Sequence, residues 1–225
     1  QAMLSGGALR YRMYTPAGLS ATEVGATVLL ANMPYALGFG LLLDISLRGG
    51  DITSVALPRH LANLDRRDQP FQLLEQNAKR QYIAMSGLIG ANGTDTAKGR
   101  PLFSAGATSF EMQPGKDELV VDLNYTTAEG VLITKRFTFQ RGEYVVGVEY
   151  LVTNNSDHPW QAALFGQLKR DNRPDPGAVG GALGIKPFIG FATRTTDEPY
   201  QKFTFDDIAE KAYEGQSHWL MFLFR

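Results

Sequence analysis

The chain has no cysteine. Disulfides, Cys-ligated zinc and a cysteine nucleophile are therefore excluded. Neither charge is in excess: 22 Lys and Arg stand against 23 Asp and Glu, a formal net charge of −1. That balance gives no electrostatic reason to expect nucleic acid or an anionic membrane surface as partner. No arginine-rich block or basic stripe interleaved with aromatics is present, which argues against nucleic-acid binding. Histidine is scarce, with three in 225 residues. His60, His158 and His218 fall at no metal-ligand spacing. Internal repeats, low-complexity tracts and a Gly-x-Ser-x-Gly nucleophile elbow are also lacking.

Apolar residues make up 44% of the chain, and 24 glycines and 11 prolines are spread between short alternating runs. This is the grammar of many strands and many turns rather than of disorder. The uncharged run Val24–Leu43 has the length of a membrane span. Gly25, Asn32, Pro34, Gly38 and Gly40 dilute it, and no basic clusters flank it. A buried strand pair or a packed N-terminal segment is the expectation there, ahead of a membrane helix.

Leu41–Leu47 and Ile52–Leu57 read as a hairpin around Gly49-Gly50, with Pro58 as its stop. Gly-Gly permits positive φ at both positions of a tight type I′ turn. Residues 59–69 read as a polar loop, Phe71–Ala84 as strand or short helix, and Gly87–Arg100 as a long loop. The clearest region is 118–169. Leu119, Val121, Leu123 and Tyr125 alternate with polar residues; Val131, Ile133, Phe137 and Phe139 share a face that Lys135 interrupts. Val146, Val148, Tyr150 and Val152 follow at period two, then Trp160, Ala162, Leu164, Gly166 and Leu168. Strand side chains alternate faces, so the pattern predicts four half-buried strands in an antiparallel meander. Their apolar face needs a second layer, which predicts a sandwich. Residues 170–187 read as an excursion, Phe188–Thr193 and Tyr200–Phe205 as strands, and Asp206–Glu214 as a helical turn.

Candidate chemistry is sparse. Asp117-Glu118 and Asp206-Asp207 are adjacent carboxylates. Strand neighbours point to opposite faces, so neither pair makes an acid–base dyad; turn charges, or a helix cap at Asp206 or Asp207, fit better. Asp171-Asn172-Arg173-Pro174-Asp175-Pro176-Gly177 lacks the ordered ligands and terminal Glu of a calcium loop and reads as turn chemistry. Gly177, Gly180, Gly181 and Gly184 have no Walker spacing. Arg48 and Asp51 flank the Gly-Gly turn, where a weak surface pair is preferred to a recognition corner. No catalytic, metal or cofactor-binding residue is assigned, and partner-binding residues stay unassigned.

The stretch from Leu43 to Pro58, with Gln69-Pro70-Phe71-Gln72-Leu73-Leu74-Glu75, resembles the periplasmic domain of the YidC-type membrane protein insertase. Further matching pieces follow in order. They are Ser86-Gly87-Leu88, Arg100-Pro101-Leu102-Phe103, Thr134-Lys135-Arg136-Phe137-Thr138-Phe139 and Arg141-Gly142-Glu143-Tyr144-Val145-Val146. Phe165-Gly166-Gln167-Leu168-Lys169 and Tyr200-Gln201-Lys202-Phe203-Thr204-Phe205-Asp206-Asp207-Ile208-Ala209 complete the series. The resemblance implies an all-β, galactose-mutarotase-like β-supersandwich of mostly antiparallel strands, with short helical elements near the C-terminus. It implies a poorly matched segment at 1–40 and a periplasmic domain at 41–225, incomplete at its C-terminal end because only His218-Trp219-Leu220-Met221 echoes the family's Gly-Gly-Trp stretch.

By function, the resemblance implies a non-catalytic domain at the periplasmic face of the bacterial inner membrane. It would be part of a membrane-anchored protein that assists insertion and folding of inner-membrane proteins. The implied work is scaffolding or contact with the Sec translocon accessory subunits SecD/SecF, with nascent membrane proteins reached through the full-length insertase. The family's insertion chemistry lies in a polar groove among later membrane helices; nothing in this chain corresponds to them, so no residue inherits that role. The alternative is a carbohydrate-binding or mutarotase-like protein, which needs a His and a carboxylate converging on a sugar ring. A spacer without a specific ligand is the third reading.

Overall fold

A computed structural model describes residues 27–31 (by backbone course), 40–61, 69–173, 188–193, 198 and 200–210. Expectations for the rest of 1–39, for Asp65–Asp68, for the glycines at 177–184, for His218 and for Trp219–Phe224 lie outside these residues. The chain divides into two units, Gln1–Asp171 and Asn172–Arg225.

The first unit is built from two sheets. β1 (Thr27–Ala31), β2 (Leu42–Ser46), β3 (Ile52–Leu61), β4 (Pro70–Gln76), β5 (Gln81–Ile89), β7 (Ser109–Glu111) and β11 (Ala163–Arg170) form a seven-stranded sheet in the order β11-β5-β4-β3-β2-β1-β7. β6 (Ser104–Ala105), β8 (Glu118–Thr126), β9 (Val131–Gln140) and β10 (Val146–Asn154) form a four-stranded sheet in the order β10-β9-β8-β6. All neighbours are antiparallel except β1 and β7. Within the uncharged Val24–Leu43 run, Thr27–Ala31 and Leu42–Leu43 are strand, and β1 pairs with β2 from Thr27↔Ser46 to Ala31↔Leu42. Among the described residues no helix is long and apolar enough to cross a membrane.

The core lies between the sheets. Leu43, Ile45, Val55, Leu74 and Leu88 come from the larger sheet; Val121, Leu123, Val131, Ile133, Phe137 and Phe139 come from the smaller. Alternation along β9 puts Val131, Ile133, Lys135, Phe137 and Phe139 all inward, because successive side chains leave a strand on opposite faces. The outward side of β9 is mostly polar, with Thr134, Arg136, Thr138 and Gln140 beside an exposed Leu132. Arg136 grips Asp122 on the neighbouring strand with two nitrogens, at 2.7 and 2.8 Å. That hydrogen bonding holds the Asp122 carboxyl below the usual range.

Several readings of the sequence change. Pro58 does not stop the second strand, which continues to Leu61. One register shift, between Val55 and Ala56, precedes the proline, and another, between Leu57 and Leu61, spans it, as expected where a residue has no N–H to give the ladder. Phe71–Ala84 is two strands, and Gly87 lies inside β5 rather than in a loop. The meander holds for β8, β9 and β10. The fourth strand leaves it: β11 pairs with β5, from Ala163↔Ile89 to Arg170↔Tyr82. The connection after Asn154 contains Pro159 and is too long for a tight hairpin. Trp160 in it packs against the core. Gln161 exchanges hydrogen bonds with Asn92, backbone N–H to carbonyl at 3.0 Å and N–H to side chain at 2.9 Å. These contacts carry the chain across to the larger sheet.

In the second unit, β12 (Gly190–Thr193) and β13 (Gln201–Thr204) pair antiparallel, with Phe191 stacked on Phe203. The short helix α1 (Phe205–Glu210) follows. Its cap is Thr204, not Asp206 or Asp207. The Thr204 hydroxyl accepts from the Asp207 N–H at 3.2 Å, and Asp207 accepts from the Thr204 N–H at 2.7 Å. This reciprocal pairing is a capping box, and it keeps the Asp207 carboxyl below its ordinary range.

Candidate functional site

The loop joining β2 and β3 has both glycines at positive φ, 74° for Gly49 and 64° for Gly50. It is wider than a two-residue turn, because the Ser46 N–H closes it onto the Asp51 carbonyl at 2.8 Å. A second segment straps the loop from outside. Gly49 N–H donates to the Pro101 carbonyl and Phe103 N–H to the Leu47 carbonyl, both at 2.8 Å. Arg48, between these bonds, is exposed.

Asp51 turns inward and is 7% exposed. The surface pair expected with Arg48 does not form; Asp51 takes Arg100 instead. The Arg100 guanidinium also donates to Asp95 through Nε, to the Ser86 carbonyl at 2.7 Å and to the Gly49 carbonyl at 3.4 Å. Lys135 enters from the opposite sheet. It is 1% exposed, and its ammonium donates to the Gly49 carbonyl at 3.0 Å and to the Ser86 carbonyl at 3.1 Å. Two cations thus share the same two backbone acceptors. The Phe137 and Tyr150 rings lie 5.5 and 5.3 Å from the Lys135 ammonium, close enough for cation–π attraction. The Tyr150 hydroxyl lies 3.3 Å from the Ser86 hydroxyl.

Three glycines make room for this cluster. A Cβ on Gly49 would overlap the Arg100 guanidinium, one on Gly50 would stand 2.7 Å from Lys135 Cδ, and one on Gly87 would overlap the Asp95 carboxylate. Two carboxylates and two cations balance in charge, but enclosure still shifts the protonation of Asp51 and Lys135. Burial pushes the Asp51 carboxyl up, against the pull of Arg100 and Lys135. Burial brings the Lys135 ammonium down to about 8, helped by Arg100 and opposed by Asp51 and Asp95. Burial also lifts the Tyr150 hydroxyl to about 12. For Arg100 burial works against the charge, yet the Asp95 and Asp51 carboxylates prevail and raise it. Desolvation disfavours charge and paired opposite charge restores it.

The arrangement is built for holding. Asp51 Oδ2 and Asp95 Oδ1 are taken by Arg100, while Asp51 Oδ1 is buried without a hydrogen-bond partner among the described residues. Among the described residues no group of three or more His, Asp or Glu side chains could hold a metal ion. His60 is not in a loop but is the penultimate residue of β3, hydrogen-bonded to the Tyr144 hydroxyl at 3.0 Å. His158 lies in the link between β10 and β11. Among the described residues no ion pair joins a histidine to a carboxylate. Asp117 and Glu118 stand apart as expected, Asp117 beside Arg141 and Glu118 bonded to Gln140. Arg100, Asp95 and Ser86 were not singled out by chemistry in the sequence. The available signal was Lys135, a charge at an inward position of an otherwise apolar alternation.

Comparison with known proteins bears on the whole assembly. The family described as the YidC periplasmic domain matches residues 40–223. The chain is 50% identical over 183 residues to membrane protein insertase YidC of Cellvibrio japonicus, covering 80% of this chain and 32% of that protein. It is 44% identical over 171 residues to the protein of that name from Alcanivorax borkumensis (76% and 29%) and 45% identical over 186 residues to that from Stutzerimonas stutzeri (81% and 33%). The chain therefore spans about a third of the length of these relatives.

Proposed function

The chain belongs to the YidC periplasmic domain family, and from that premise we propose that it serves as the non-catalytic periplasmic part of a membrane protein insertase. The family match over residues 40–223 carries the proposal. The relatives' name, membrane protein insertase, supplies the activity proposed for the whole protein: inserting proteins into a membrane. The location proposed is the periplasmic face of the bacterial inner membrane, as part of a membrane-anchored protein.

The site supports a scaffold rather than a catalyst. Its charged groups are closed between two sheets and occupied by one another and by backbone carbonyls. A catalytic group must reach a reacting atom, and Lys135 and Asp51 are turned away from solvent. No finding favours the carbohydrate-binding alternative. The partners proposed are the translocon accessory subunits SecD/SecF, with nascent membrane proteins engaged by the full-length insertase. The test is to immobilise the chain and titrate detergent-solubilised SecD/SecF over it, with a sugar panel alongside. Saturable SecD/SecF binding without sugar binding is expected. Sugar binding without SecD/SecF binding would overturn the reading.

A further inference from the structure

We propose that Lys135, Arg100, Asp51 and Asp95 form a latch that fixes the two sheets of the first unit in one alignment, and that the latch as a whole adds no net stability to the fold, although removing one partner alone leaves a buried charge unpaired. The inference goes beyond the insertase reading and stands independently of it. Its basis is where the contacts run. Lys135 leaves β9 in the smaller sheet and ends on two carbonyls of the larger one, Gly49 in the β2–β3 loop and Ser86 in β5. Arg100, from the strap outside the loop, ends on the same carbonyls and on Asp51. The Tyr150 hydroxyl on β10 reaches Ser86 from the smaller sheet. Apolar contacts between sheets are non-directional. Hydrogen bonds from a shared pair of cations to a shared pair of carbonyls have one geometry.

Such an arrangement is expensive to bury. Placing a lysine and an aspartate in a core trades against the desolvation of both, and well-packed apolar replacements of a buried ion pair are often neutral or stabilising. Gly49, Gly50 and Gly87 give up side-chain packing to admit it. The groups facing the Lys135 ammonium are Asp51 and Gly49 from the β2–β3 loop, Ser86 from β5, Asp95 and Arg100 from the connection after β5, Phe137 from β9 and Tyr150 from β10. The cluster is therefore contributed by every element that meets there.

The test is the charge-balanced double variant Lys135→Met/Asp51→Asn, which leaves the Arg100–Asp95 pair in place. The expected result is a urea midpoint at or above that of the unsubstituted chain. At the same time, amide exchange at Ser46, Gly49 and Phe103 should be at least tenfold faster under native conditions. A lowered midpoint, or failure to fold, would assign the cluster to stability and overturn the proposal. Unchanged exchange would show that nothing was being held, and would overturn it equally. A second measurement uses the unsubstituted chain. The carbonyl carbon shifts of Gly49 and Ser86 should follow titration of the Lys135 ammonium, and their indifference to it would refute the shared contact.

Discussion

Replacing Arg100 by methionine would leave the shape of the site largely filled and remove its central charge. In the folded chain Asp51 takes its hydrogen bond from Arg100 and would keep none of those seen here. Asp95 would retain the Leu88 N–H at 3.0 Å and the Thr94 hydroxyl at 3.4 Å. The Gly49 and Ser86 carbonyls would keep Lys135. The damage is therefore concentrated on one buried carboxylate. Removing one partner of a buried ion pair costs about 3–5 kcal/mol. The Arg100 side chain is 18% exposed, which places the expected loss at the lower end, about 3 kcal/mol. For a chain of this size that corresponds to a fall of roughly 6–12 °C in Tm.

Urea unfolding followed by tryptophan fluorescence is the assay, since Trp160 packs on the core. Arg136→Met is the control. Its pair with Asp122 is about a third exposed on both sides, and such a surface pair adds little to stability. The Arg100→Met loss should shrink toward acid pH, because a proton relieves the unpaired Asp51. If Arg100→Met costs no more than Arg136→Met, Asp51 does not depend on Arg100 and the account of the cluster is refuted.

Gly50→Ala should cost about 1–2 kcal/mol for the left-handed backbone alone; contact with Lys135 Cδ adds to this, and the added part should vanish when Lys135→Ala, which removes that atom, is introduced first, as a double-mutant cycle of urea midpoints would show. The pH dependence of stability has a sign fixed by Lys135. Its folded value of about 8 lies below its ordinary 10.5, so between these values the unfolded chain holds a proton that the folded chain has released. Stability should rise with pH across that window, and Lys135→Met should flatten the rise; an equal slope in both proteins would contradict the burial of the ammonium. Deleting residues 1–40 removes β1 from between β2 and β7, so the melting temperature should fall, and an unchanged melt would show that β1 adds nothing to the sheet.

The strands were legible because alternation is local. Val131, Ile133, Phe137 and Phe139 announce an inward face without knowledge of any other strand. The destination of β11 was not legible. Its alternation is the same whether it joins β10 or β5, and the choice rests on Trp160 and on the Gln161–Asn92 bonds. The ionic cluster was hidden for the same reason. Arg100 is 49 positions from Asp51, and Lys135 is 86 from Gly49. Arg48 was the nearer partner for Asp51 in the chain but lies on the outer side of the loop. The helix cap, Thr204, stands two or three residues ahead of the acidic pair that the sequence points to, because acidic residues in a first turn and the residue that caps it carry overlapping signals.

The three glycines that face the cluster have a consequence for how this sequence can change over time. Gly50 and Lys135 occupy one volume between them, as do Gly49 and Arg100, while Gly87 shares its volume with Asp95 and Phe165 together. A side chain at any of these glycines is blocked while its charged neighbour stays, and each charged residue needs its glycine already in place. Order of replacement therefore matters. A lineage could shorten Lys135 first and only then fill Gly50, whereas the reverse path passes through an overcrowded protein. Related sequences should show these positions changing in pairs, with the charged member lost before the glycine.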